Sequence, residues 1–364
     1  MTTNPPPATL GIVGTGWRAE FFARLALMMP ERFTLLGVAA RRPSSADAAS
    51  ARWGVPGYLD PAELQRRHQP DFVVSSVPWA ASAGVITALV EAGAKVLTET
   101  PPAPDATGLR ALWDSVGSSD RVQVAEQYLL LPAHAARMAV VRAGTIGTPT
   151  SVQVSSTHGY HAVSMIRGFL GGGHGAATVS ARTFTAPLVD PLGRDGWTDD
   201  DTAKPAVTTL ATVDLGDGRS GLHDFTDNQW HNQLRFRRIL IRGSLGEIAD
   251  DRVIRLAEPH AIVTSDLRRY QLGHDLNLDG HDTEHISFDG RVVYRNPFLG
   301  HRLMDEEIAI ASSMLATGRW AREEGPAPYP LAEGCQDHLI SLAIDESAAT
   351  GRSITTEIGP WAAR

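Results

Sequence analysis

The chain has 364 residues, 43% hydrophobic and 20% charged, with a formal net charge of −8. That length exceeds one ordinary core and suits two domains of a globular protein. The acidic balance argues against nucleic acid or an anionic membrane surface as partner, no apolar run approaches the ~20 residues that cross a bilayer, and the single cysteine, Cys335, excludes an intrachain disulfide.

The opening "MTTNPPPATLGIVG" has no basic segment followed by a separate apolar one, so the expected setting is the cytoplasm. Its "TNPPPAT" stretch is expected to be an extended or disordered tail. "LGIVGTGWRAEFFARLALMMP" then reads as strand, glycine turn and helix, with Phe21, Phe22, Leu25, Ala26 and Met29 at helical spacing and Pro30 as the stop. "FTLLGVAA" is a second strand. "SSADAASARWG" is a helix with Ser45 as its expected cap and Gly54 at its end. A short helix "DPAELQRRH", a third strand "PDFVVSSVP", the helix "ASAGVITALVEAG", a fourth strand "AKVLTE", the helix "TGLRALWDSVGSS" and a fifth strand "RVQVAEQY" follow. The strands are continuously apolar and alternate with helices, which is the pattern of a parallel sheet covered on both faces.

After Tyr128 the rhythm changes. A helix, "LPAHAARMAVVRAG", leads into strands of alternating character: "PTSVQVSST", "TVSARTF", "AVTTLATVDL", "SGLHDFTDN" and "RRILIRGSLGEIAD". "GDGR" between two of these reads as a hairpin turn, as does Asp289-Gly290 inside "EHISFDGRVVYR". Two helices close the chain, and "APLVDPLGRDGWTDDDTAKP" reads as a long loop. The expected organisation is an α/β chain. A parallel-sheet domain with helices on both faces covers residues 1–128, and an α+β domain with a mainly antiparallel sheet covers residues 129–364.

The chemistry starts at "GIVGTGWRAE". Gly14, Gly16 and Ala19 form G-x-G-x-x-A after a strand and at the start of a helix, with Thr15, Trp17 and Arg18 filling the turn. Such a turn lets backbone amides approach a pyrophosphate at the positive end of a helix. The second strand ends in Arg41, Arg42 and Ser44 with no acid to hold ribose hydroxyls. Two guanidinium groups and a hydroxyl suit a 2′-phosphate, so NADP is preferred over NAD. Ligands of such sheets sit at strand carboxyl ends. Val77, Pro78, Trp79, Ser82, Glu99, Thr100 and Gln127 are therefore further cofactor-binding candidates.

Four later segments, together with the glycine turn, resemble the Gfo/Idh/MocA oxidoreductases: "VITALVEAGAKVLTETPPA", "VQVAEQYLLLPAHAARMAVVRAGTIGTP", "THGYHAVSMIRGFLG" and "ILIRGSLGEI". The resemblance implies a Rossmann dinucleotide-binding domain over residues 1–128 followed by a domain with a large open antiparallel sheet over residues 129–364, and NAD(P)-linked hydride transfer to or from a sugar, cyclitol or related polyol. It implies a catalytic lysine where this chain has Thr100 after Glu99, an aspartate where it has Thr157, and a catalytic histidine matched by His161. His161 is the acid–base candidate, since an unperturbed imidazole titrates at about 6.5; His158 and Tyr160 share its turn. Substrate-binding candidates are Thr157, Arg167, Gln229, Trp230, His231 and Arg235, with His223 and Asp224 in the same polar and aromatic run "HDFTDNQWHNQLRFRR". The resemblance also implies a homodimer or homotetramer formed through the open sheet. No metal site is expected: "HDTEH" from His281 to His285 has the H-x-x-E-H zinc spacing, but it precedes a hairpin rather than lying on a helix. Two alternatives stay open. One is a redox-neutral NAD(P)-dependent glycosidase or lyase; the other is a non-catalytic, cofactor-sensing regulatory protein.

Overall fold

Residues 6–193, 196–271 and 282–363 are described by the structure, a computed structural model. Six short strands open the chain: β1 (Ala8–Val13), β2 (Phe33–Ala39), β3 (Gly57–Tyr58), β4 (Phe72–Ser75), β5 (Val96–Thr98) and β6 (Val122–Val124). Between them run α1 (Trp17–Met28), α2 (Pro43–Trp53), α3 (Pro61–His68), α4 (Trp79–Glu91) and α5 (Ala106–Val116). The strands are parallel in the order β3-β2-β1-β4-β5-β6. Leu10, Ile12, Phe72, Val73, Val74, Val96 and Leu97 are fully buried, because helices cover both sheet faces. The chain runs outward from β1 in both directions, so the sheet reverses its winding between β1 and β4. That is the doubly wound order, with its ligand crevice at the reversal.

Local chemistry explains the departures from the sequence pattern. β3 has only two residues, too few for an apolar run to mark it. α2 is capped by Arg42 rather than Ser45, with Pro43 as its first residue. Proline is preset for that position and lacks the N–H that would be orphaned there. Gly54 ends the helix in the left-handed conformation. β1 begins at Ala8, and the carbonyls of Pro6 and Pro7 accept from Arg322, which also pairs with Asp71. Residues 1–5 of the expected tail lie outside the described residues.

The chain continues through α6 (Pro132–Arg142), β7 (Pro149–Ser155) and α7 (Gly159–Leu170). Then come β8 (Thr178–Leu188), the short pair β9 (Leu192–Gly193) and β10 (Gly196–Trp197), β11 (Lys204–Asp214), β12 (Ser220–Thr226), β13 (Arg238–Gly243), β14 (Gly246–Ala249), β15 (Arg252–Glu258) and β16 (Ala261–Asp266). β17 (Arg268–Gln271), β18 (Thr283–Phe288) and β19 (Arg291–Arg295) form a three-stranded sheet, and α8 (Asp305–Ala321), α9 (Leu331–Thr350) and β20 (Ile354–Thr355) follow. The large sheet has nine strands in the order β16-β15-β14-β13-β7-β12-β11-β8-β20. Only β7 and β12 pair in parallel; the other neighbours are antiparallel.

Helices cover one face of that sheet. Val179 and Ala181 of β8 and Ala211 and Val213 of β11 pack against Val163 of α7 and Ile340, Ala343 and Ile344 of α9. The period of two is clear in β11, where Ala211 is 2% exposed and its neighbour Leu210 is 39% exposed on the opposite face. Phe184, Ile254, Leu256 and Ile262 are also exposed, so the outer face carries large apolar side chains.

Two compact units result. One comprises residues 1–132, 271–284 and 296–335; the other comprises 133–270, 285–295 and 336–364. The expected boundary was a single cut at 128. The observed division instead returns α8 to the first unit, where it packs on α1, β1 and β4. Gly318 lets that helix approach Ala8, whose Cβ would be 2.6 Å from an added methyl.

Candidate functional site

The glycine turn begins where β1 ends. Gly14 has a φ of +114°, and a side chain there would sit 1.9 Å from the carbonyl oxygen of Ser76, at the end of β4. Glycine is therefore required both by conformation and by the close approach of β1 and β4. Gly16 is the N-cap of α1, with no side chain capping the helix and nothing within 4 Å of an added Cβ. A helix end with no side-chain cap, under open space, fits a pyrophosphate. Thr15 and Trp17 are exposed beside this opening, and Ala19 is fully buried.

On one side of the turn, Arg41, Arg42 and Ser44 lie exposed at the end of β2 and the start of α2. On the other side, Val77 and Pro78 follow β4, and Trp79, 61% exposed, starts α4. Ser82 is buried instead, its hydroxyl 3.5 Å from that of Thr98. β5 delivers Glu99 and Thr100, and β6 leads to Gln127. These residues are joined by Arg18. Its guanidinium donates to Glu99 (3.1 Å) and to Glu306 of α8 (2.9 Å). With the Gln127 amide turned to satisfy both its groups, the nitrogen donates to the Ala125 carbonyl (2.8 Å) and the oxygen accepts from Arg18 (3.2 Å). Glu306 has no local sequence signal for this role, since it lies 288 residues from Arg18.

The second unit gathers a separate polar cluster at the start of α7. Thr157 is fully buried, and among the described residues its hydroxyl has no hydrogen-bond partner. His158 is the N-cap and keeps an exposed edge. His161 is buried one turn on, its ring 4.8 Å from that of His158 and 5.4 Å from that of Tyr160. Tyr160 also meets His338 of α9 at 6.0 Å. Beneath the cluster, His223 of β12 is 2% exposed, and its Nδ1 has no partner among the described residues. Burial pushes His223 down to about 4, against the opposing pull of Asp224 and a hydrogen bond to the Val154 backbone. Burial and the neighbouring His161 and His223 likewise push His158 down to about 4. Both imidazoles are therefore neutral at neutral pH.

The other second-unit candidates are placed differently. Arg167 is sealed between α7 and α9 by an ion pair with Asp337, both almost fully buried, and also donates to the Gly173 carbonyl. Gln229 spends its amide on the backbone: its oxygen accepts from Thr226 N–H, and its nitrogen donates to the carbonyls of Ser155 and Phe236. It braces the loop after β12 against the end of β7. That loop presents Trp230, 46% exposed, with its ring 4.3 Å from His231. His231 also pairs with Asp190 (3.4 Å), and Arg235 is exposed and donates to the Leu234 carbonyl. Glu284 and His285 lie in the extended strand β18, whereas a zinc pair of that spacing needs a helix; His281 lies outside the described residues. Among the described residues, no group of three or more His, Cys, Asp or Glu could hold a metal ion.

The glycine turn, the sheet order and the open helix end define a dinucleotide-binding domain. Residues 8–127 match the family described as "Oxidoreductase family, NAD-binding Rossmann fold", the Gfo/Idh/MocA oxidoreductases. No match is found among curated protein sequences. Solved structures of similar fold include an oxidoreductase from Agrobacterium radiobacter in complex with NAD+, L-tartaric acid and magnesium, 17% identical, with a TM-score of 0.67, covering 95% of this chain and 98% of that one. A levoglucosan dehydrogenase in complex with NADH and levoglucosan is 20% identical, with a TM-score of 0.66 and coverage of 96% and 99%. A myo-inositol dehydrogenase from Corynebacterium glutamicum is 18% identical, with a TM-score of 0.65 and coverage of 96% and 99%.

Proposed function

We propose that the protein is an NAD(P)-dependent dehydrogenase or reductase acting on a sugar, cyclitol or related polyol. The observation that carries this reading is the uncapped amino end of α1, with open space over Gly16, at the reversal of the sheet. Structures of similar fold bear the names of levoglucosan and myo-inositol dehydrogenases, which supports the substrate class.

In this reading the nicotinamide supplies or accepts the hydride. The α1 amides hold the pyrophosphate, and Gly14 lets the chain turn beneath it. Arg41, Arg42 and Ser44 bind a 2′-phosphate and make NADP the preferred cofactor. Trp79 lines the opening beside the glycine turn, and Thr100 offers a hydroxyl at the end of β5. His161 exchanges the proton of the reacting hydroxyl. Neutral His158, the Tyr160 hydroxyl and the Thr157 hydroxyl orient it, and Trp230 covers an apolar sugar face. The setting is cytoplasmic. The chain pairs with copies of itself through the outer face of the nine-stranded sheet.

The test is turnover of a panel of sugars and cyclitols with NADP+ and NAD+, followed by the absorbance of the reduced nicotinamide. For His161→Ala we expect turnover to fall about 10²–10⁴-fold with cofactor affinity retained. Unchanged turnover removes His161 from the chemistry. Cleavage of a glycoside with only a trace of cofactor replaces hydride transfer with the redox-neutral reading.

A further inference from the structure

The residues on the two sides of the glycine turn differ in charge. At the β2 end stand two cations, Arg41 and Arg42. At the β5 end, Glu99 shares one guanidinium, that of Arg18, with Glu306 of α8. The nearby Arg24 is matched by its own partner, Glu307, and so adds no surplus. In a doubly wound sheet, the half beyond the reversal holds the second nucleotide, which here is the nicotinamide half. This half therefore has more negative than positive groups. Arg18 is 18%, Glu99 16% and Glu306 39% exposed, so solvent screens Glu306 more than it screens the Arg18–Glu99 pair.

An oxidised nicotinamide ring carries a positive charge, and a reduced one carries none. We infer that the Arg18–Glu99–Glu306 cluster is a redox-state selector, which makes the cradle bind oxidised cofactor more tightly than reduced cofactor. This rests on the cofactor reading above and adds the direction that the residues favour. Glu306 is a specificity residue that acts on the ring through the net charge. Arg18 partly cancels that charge.

The two carboxamide substitutions and the arginine substitution give opposite signs. The full chain is titrated calorimetrically with NADP+, NADPH, NAD+ and NADH, and the ratio of Kd for the reduced form to Kd for the oxidised form is compared among variants. Glu306→Gln keeps a hydrogen-bond acceptor for Arg18 while removing one charge, and should move the ratio about three- to tenfold toward the reduced form. Glu99→Gln is the second variant and should move it the same way. Arg18→Gln should move it the opposite way. A general loosening of the cradle would weaken both redox forms together and leave the ratio fixed. Ratios unchanged within about twofold, or moving in one direction for all three variants, overturn the selector while leaving the cofactor reading intact. If none of the four cofactors binds the wild-type chain, the cofactor reading falls and the selector falls with it.

Discussion

At the scale of single residues, the cradle combines a backbone constraint at Gly14 with two exposed cations, Arg41 and Arg42. Gly14 is forced by its conformation and by the Ser76 carbonyl, and both constraints are carried by a short motif. Side chains whose partners are remote were not legible. Gln229 looks like a sugar ligand in the sequence, yet its amide is used by three backbone groups. His223 was one polar residue among several until β12 placed it under the α7 histidines. The cofactor preference is tested at this scale. Arg41→Ala combined with Arg42→Ala removes two charge-assisted contacts expected at a 2′-phosphate. NADPH affinity should fall about 10- to 100-fold while NADH affinity changes little. Equal effects on both cofactors in a binding titration would sink the arginine argument.

At the scale of elements, the apolar runs of the first half and the alternating runs of the second show which helices and strands form. They do not show which pairs are fastened together. Arg167 of α7 and Asp337 of α9 are such a fastening. Arg167→Met would leave the carboxylate buried without its cation, and denaturant unfolding should show a loss of about 3–5 kcal/mol. A loss below about 1 kcal/mol would mean that the pair is not holding the helices. The histidines predict a pH effect. Burial lowers His223 to about 4 in the folded protein, while an unfolded histidine titrates at about 6.5. Between those values the unfolded chain binds more protons, so stability is full above the window and is lost as pH falls through it. The expected slope is ~1.4 kcal/mol per pH unit from this residue. His134, which burial pushes down to about 3, and His158 act in the same direction. His223→Gln should flatten the dependence measured by thermal unfolding from pH 7 to pH 4; an unchanged slope would assign it to other groups.

At the scale of the whole molecule, the outer face of the nine-stranded sheet has the next consequence. Phe184 (56% exposed) and Ile262 (71% exposed) leave apolar surface in water. If copies pair through this face, light scattering should give a multiple of the 39.1 kDa chain, and Phe184→Glu with Ile262→Glu should reduce it to one chain. A wild-type mass of 39.1 kDa at micromolar concentration would end this proposal. The sequence by itself determined the doubly wound half, the antiparallel half and the glycine turn. These depend on backbone conformation and on apolar periodicity within short windows. Only the tertiary structure decided that α8 packs with the first unit, that Arg18 is shared by Glu99 and Glu306, and that Arg167 is locked to Asp337. Those partners lie 81, 288 and 170 residues apart. No local pattern encodes a contact whose energy appears only once two distant elements have packed and excluded water.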